Sequence, residues 1–289
     1  MTIIQVIING ALLGGLYLLM AQGLNLIFGV MRIVNFAHGA VIVISGLIVF
    51  SLSTRAGLNP FLCLPIVFAV MFVLGIATQR LMIERVRGSG TQRELLTLLV
   101  TYGLSFILIN IGQAVWGSDY RGVPYLQSAW GVGSLRFVQA LVVGAVLAVV
   151  LSGALYWWLR STRSGKSLRA TAQTSVGAES CGIDTRRMRV IAFAIGTGLA
   201  GAAGMLVILV RPVSPELGTE LTIISFVVIA LGGLGDYLGA ALGAVVLGVA
   251  TTLAGYGLSA TAQSAVPYVL LLLIMLLRPQ GLSLQRLAR

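Results

Sequence analysis

The chain has 289 residues, of which 58% are hydrophobic and only 9% charged, and its mean hydropathy is +1.00. So few charges cannot cover a water-facing surface, which excludes a soluble enzyme and leaves no room for a separate soluble domain. The net charge of +11 does not point to nucleic acid either, because the basic residues are parcelled into Arg80–Arg93, Arg160–Arg189 and Arg278–Arg289, between apolar stretches. That is the positive-inside pattern of cytoplasmic loops. The runs Val138–Leu159 and Val190–Val210 are continuously apolar, not alternating, so the expected fold is an all-α polytopic membrane protein and not a β-barrel.

In chain order, the first span covers about 3–30. No Lys or Arg precedes it and it exceeds a signal peptide's apolar core, so it reads as retained. A polar break, Met31 to Gly39, separates it from a second span ending near Leu52. The third runs from Pro60 to Ile83 and the fourth from Leu95 to Trp116. Residues 117–136 are less apolar and hold Tyr120, Tyr125 and Trp130, which with Trp116 suit an outer interfacial belt. A fifth span, about 137–159, leads into the longest polar loop, 160–189. The sixth covers 190–210 and is followed by an outer turn with Pro212 and Pro215. The stretch 221–256 is apolar but broken at Gly232-Gly233-Leu234-Gly235-Asp236, giving two helices, one of them short or discontinuous. The last span, about 265–277, precedes a basic tail. Eight or nine spans result. Nine full crossings put the N-terminus outside, and a re-entrant segment would reverse that end.

The 36 glycines include Gly10/Gly14 and Gly235/Gly239/Gly243, small residues at four-residue spacing that suit close helix packing within the chain. Gly196-Thr-Gly198-Leu-Ala-Gly201 spells a dinucleotide fingerprint, but it sits inside a span and not at a strand-to-helix turn. Gly165-Lys166-Ser167 lacks the first glycine of a phosphate loop, since position 160 is arginine. The lone His38 excludes multi-histidine metal sites, no nucleophile elbow occurs, and Cys63 and Cys181 are too differently located to pair.

Three features carry function. Asn35 and His38 within the break are costly at membrane depth unless they line a cavity; the alternative is a short cytoplasmic turn with a solvated histidine. In loop 160–189, Leu168, Ala172, Val176 and Ala178 suggest one amphipathic face, with Gly182 as stop and Asp184 as the next N-cap. This suits docking of another protein, or else a loop facing lipid headgroups. Finally, apart from Asp236 and Glu220, no acid lies away from a probable interface, which argues against an ion-coupled carrier.

Four stretches in order resemble one family over nearly the whole chain: Gly10–Gly29 ahead of Met31-Arg-Ile-Val-Asn-Phe-Ala-His-Gly39; Arg163-Ser-Gly-Lys-Ser-Leu-Arg-Ala170; Gly177-Ala-Glu-Ser-Cys-Gly-Ile-Asp184; and Gly232-Gly-Leu-Gly235 before Gly239-Ala-Ala-Leu-Gly243-Ala. The family is that of permease subunits of ATP-binding-cassette importers for branched-chain amino acids and related solutes. The resemblance implies a single transmembrane permease domain over 1–289 that includes a cytoplasmic coupling loop at 160–189. It sits in the bacterial inner membrane and is no enzyme itself. The implied partners are a second permease subunit, two cytoplasmic ATPases that hold ATP and Mg, and an extracytoplasmic solute-binding protein; no cofactor is expected on this chain. Asn35, Phe36, His38 and Gly39 resemble a break beside the translocation pathway. Gly177, Glu179, Ser180, Gly182 and Ile183 resemble the segment that seats in the ATPase. Ala40, where many members carry an acid, and Asp236, where a small residue is usual, are departures that bear on the pathway's charge. Urea or short amides are the alternative substrates within the family. A channel, an ion-coupled carrier or a membrane-embedded enzyme is the reading outside it.

Overall fold

The computed structural model describes residues 3–132, 135–278 and 281–282. In chain order it has α1 (Ile3–Met31), α2 (His38–Arg55), α3 (Pro60–Leu81), α4 (Gly90–Trp116), β1 (Ala129–Val132), β2 (Leu135–Val138), α5 (Gln139–Ser161), α6 (Arg163–Gln173), α7 (Ser175–Ser180), α8 (Thr185–Val210), α9 (Gly218–Gly232), α10 (Tyr237–Gly257) and α11 (Ala260–Leu277). Among the described residues nine helical segments are long and apolar enough to cross a membrane, α9 together with the 3₁₀ turn Pro215–Leu217 that leads into it. The chain is thus an all-α, multi-pass membrane protein.

Local chemistry sets most of the helix starts. Asn59 accepts from the Phe61 amide with Pro60 at the first helical position of α3. Thr162, Thr174, Asp184, Asp236 and Ser259 cap α6, α7, α8, α10 and α11 in the same way. Asp184 was expected. The others move boundaries: α11 starts at Ala260 instead of 265, because Ser259 terminates the turn after α10.

Three expectations need correction. Loop 160–189 is not one short amphipathic helix but two, divided at Thr174, whose hydroxyl starts α7. Leu168 and Ala178 are buried, yet Val176 is 74% exposed, so the four residues do not share a face. Strands β1 and β2 pair antiparallel, Ala129 opposite Val138, a regular element that the reading of an outer interfacial belt did not include. Gly235 lies in the turn before α10 at φ +84°, not on the helix face of Gly239 and Gly243. Arg286 and Arg289 of the expected basic tail lie outside the described residues.

At the centre stands α8, whose apolar stretch is 89% buried, packed by α1, α2 and α3; that of α11, at the edge, is 6% buried. Small residues permit this. A Cβ on Gly196 would meet Ile27 and the Gly23 carbonyl, and one on Gly201 would meet Met71, so the dinucleotide look-alike is helix packing. Gly10 and Gly14 of α1 likewise sit against the α10 backbone at Val249 and Val245. Leu62, Val73, Phe106, Ile107, Val149 and Leu272, on α3, α4, α5 and α11, point outward as a lipid face requires. Cys63 and Cys181 are both free thiols.

Candidate functional site

With the Arg-rich helix ends on the cytoplasmic side, α1 ends there at Met31. Arg32, at φ +58°, turns the chain back. Residues 33–37 then climb beside α1, and α2 begins inside the membrane. The His38 ring lies 2.8 Å, through Nε2, from the carbonyl of Met20. Met20 is eleven residues before the end of α1, roughly 16 Å at 1.5 Å per residue. Phe36 N donates to Thr101 Oγ1 at 3.2 Å, and Thr101 is as far into α4. The break is therefore a discontinuity at mid-depth and not a cytoplasmic turn.

A second helix begins at the same place. α9 has 15 residues, about 22 Å, too short for a hydrocarbon core of roughly 30 Å. Its first residue, Gly218, packs so tightly on Ala40 that a Cβ on Gly39 would strike the Gly218 carbonyl oxygen. From this junction α2 rises to the outer side and α9 descends to the cytoplasm. The chain reaches α9 through residues 211–217, tied by a bridge between Arg121 and Val213.

Hydrogen bonds close the junction. Thr222 Oγ1 accepts from Gly39 N at 2.9 Å, and its hydroxyl reaches the carbonyls of Gly218 (3.0 Å) and Phe36 (3.2 Å). Asn35 Oδ1 accepts from Ala37 N at 3.1 Å. A carbonyl only accepts, so His38 Nε2 bears the proton toward Met20, and among the described residues its buried Nδ1 meets no partner. The Phe36 ring meets Tyr102 edge-on at 6.0 Å. Asn35, Phe36, His38 and Gly39 thus come together, packed between α1, α4 and α9. Thr101 and Thr222, which hold them, were not singled out from the sequence: a threonine in an apolar run carries no positional signal.

Two cavities lie toward the two sides of the membrane from this junction. On the cytoplasmic side a cavity of about 370 Å³ is lined by Gly29, Arg32, Leu159, Arg169, Gln173 and Tyr237 among others. On the outer side one of about 240 Å³ lies among α1, α9, α10 and α11 and contains Arg211 and Glu220, whose side chains pair at 3.1 Å. Arg211 was missed because it directly follows an apolar run and reads as a span end. Asn35, Phe36, His38 and Gly39 line neither cavity.

Asp236, flagged as a departure, accepts through Oδ1 from Leu238 N and Gly239 N and so caps α10. Its carbonyl accepts from Asn25, whose Oδ1 takes Gly235 N. Ala40 is buried against Gly218, where a longer acidic side chain would have no space.

The predicted coupling residues form one compact unit on the cytoplasmic side. Gly182 at φ +77° ends α7, with its N–H on the Glu179 carbonyl and Ile183 N on that of Ala178. Glu179 accepts from the Thr185 hydroxyl, and Arg189 Nη2 donates to the same hydroxyl at 3.1 Å, so α7 is moored to the start of α8. Ser180 and Gly182 are exposed, like Val176. Alongside, Arg186 pairs with Glu84 at 2.7 Å.

A family model described as the branched-chain amino acid transport system permease component matches residues 6–277. A high-affinity branched-chain amino acid transport permease protein, LivH of Salmonella typhimurium, is 29% identical, with 96% of this chain and 94% of that protein aligned. BraD of Pseudomonas aeruginosa, named likewise, is 26% identical over 96% and 95%. A probable branched-chain amino acid transport permease protein of Methanocaldococcus jannaschii is 25% identical over 96% and 92%. With that match over nearly its whole length, and nine apolar helical segments among the described residues, the chain belongs to the family of permease components of branched-chain amino acid transport systems.

Proposed function

We propose that this chain is the translocation subunit of an ATP-driven importer that carries branched-chain amino acids inward by alternating access. One observation carries this reading: a tightly packed junction at mid-depth, made by the starts of α2 and α9, with a cavity toward each side of the membrane. Alternating access needs a closed middle that can yield in one direction at a time, and half-helices meeting at mid-depth are a common way to build it. In this reading Asn35, Phe36, His38 and Gly39 belong to the gate beside the pathway. Gly177, Glu179, Ser180, Gly182 and Ile183 seat in a cytoplasmic ATPase that brings ATP and Mg. A second permease subunit and a solute-binding protein complete the assembly. An exposed Val176 on a charged, moored, water-facing arm supports docking to protein over docking to headgroups.

The test is reconstitution of the chain with its partner permease, ATPases and binding protein in proteoliposomes. Leucine, isoleucine or valine should accumulate only with ATP inside and all subunits present. Substituting Glu179→Lys or Gly182→Lys should leave the subunits able to hydrolyse ATP but abolish accumulation. Uptake by this chain alone would instead identify a channel or carrier, and accumulation of urea or amides in preference would reassign the substrate.

A further inference from the structure

The outer cavity, which reaches Tyr17 midway along α1, holds a cation and an anion that face each other without being sealed in. Arg211 follows α8 and Glu220 lies in the first turn of α9. Both side chains remain 41% exposed, and both line the cavity. The two guanidinium nitrogens, Nη1 and Nη2, converge at 3.2 and 3.1 Å on a single oxygen, Glu220 Oε1, in place of the parallel two-oxygen fork that such pairs prefer. An ion pair is weak justification for itself as a structural element, since apolar replacements of equal volume are often as stable. Charges in spans are rare and tend to mark solute pathways.

From this geometry we infer that Arg211 and Glu220 form a clasp for a zwitterion, and that the outer cavity is an entry subsite for small neutral α-amino acids. The inference deepens the proposed substrate class and rests on it. An α-carboxylate takes the Arg211 guanidinium in a fork, and the α-ammonium takes the Glu220 carboxylate. The internal pair is exchanged for two external ones, and the cavity's net charge stays at zero in a medium where a lone charge is costly. Ile223 and Ile224 follow Glu220 by three and four residues on α9, so they share its face, and with Pro267 of α11 they form an apolar wall for an aliphatic side chain. A volume of about 240 Å³ falls below the roughly 300–1,000 Å³ of drug-sized sites, which suits a solute this small. A solute with only a carboxylate or only an amine leaves one member of the clasp without its partner and is rejected for that reason.

Saturation-transfer NMR on the purified permease–ATPase complex, without binding protein, reads this weak contact directly. Leucine should give a signal that 4-methylpentanoate and 3-methylbutylamine, each with one head group, do not. In the apolar replacement Arg211→Met/Glu220→Leu, the complex should assemble with an unchanged melting temperature while leucine binding, deprived of both charge-assisted contacts, weakens by at least the roughly tenfold that either one is worth. Ser264→Trp, which keeps the pair and fills the cavity, should do the same and serves if the double variant fails to assemble. Leucine signal undiminished in either assembled variant, or equal signals from the one-headed analogues, overturns the clasp and leaves a structural ion pair. Absence of branched-chain amino acid uptake by the complete wild-type importer would instead overturn the substrate reading, so the two failures are separable.

Discussion

The membrane junction and the cytoplasmic arm are both short helices meeting at small residues, yet they are held in opposite ways. At the junction, backbone lies on backbone: Gly39 against Gly218, with Thr222 bridging the two helices and no space for a methyl group. In the arm, α7 is moored to α8 by side chains, through Glu179, Thr185 and Arg189, and around Gly182 there is open space. Close backbone packing gives two stable arrangements or none, because interiors do not deform continuously. Side-chain moorings yield gradually. The comparison shows where a push enters and where it must be converted into a discrete change.

The largest effect should come from Gly39→Val, whose branched Cβ meets the Gly218 carbonyl; overpacking of about 3 kcal/mol or more should leave little folded protein in the membrane, as read by detergent-extractable monodisperse material. Next is Thr222→Val, which keeps the volume but leaves Gly39 N unpaired. It should cost about 1–3 kcal/mol and lower the melting temperature of the purified complex. Gly182→Val forces a branched side chain into a left-handed backbone at ~1–2 kcal/mol, seen as faster hydrogen exchange confined to α7. Smallest in stability is Val176→Asp, within about 0.5 kcal/mol, yet it should weaken co-purification of the ATPases. If Gly182→Val melts the whole chain as deeply as Gly39→Val, the contrast between the two regions fails.

Much of this was legible in the sequence, for physical reasons. Spans follow from the apolar run length the bilayer demands, and the break at 35–39 and the turn at 232–236 from polar and glycine residues that lipid does not tolerate idly. Gly182 and Asp184 were readable as a helix stop and a cap because capping is local. What was not legible is long-range. Nothing near His38 in sequence says that its ring reaches Met20, since that depends on the chain folding back across the break, or that α9 starts beside α2, which depends on packing across nearly two hundred residues. Arg211 is the sharpest case: its position suggests the membrane surface, while its side chain turns back to Glu220. The hairpin at 129–138 escaped because its strands are four residues each, too short for a period to show.

The burial of α8 has a consequence for biosynthesis. Its contacts with α1, α2 and α3 surround it, yet those three helices leave the ribosome well before it does. During that interval their glycine-lined faces must be covered by lipid acyl chains, and α8, apolar on every side, can enter the bilayer as an independent span before it packs. Its arrival displaces lipid from a waiting groove. Maturation of the chain thus includes a lateral insertion of α8, with α9, α10 and α11 still to follow, and larger residues at its glycine contacts would trap an assembled-looking but unclosed protein.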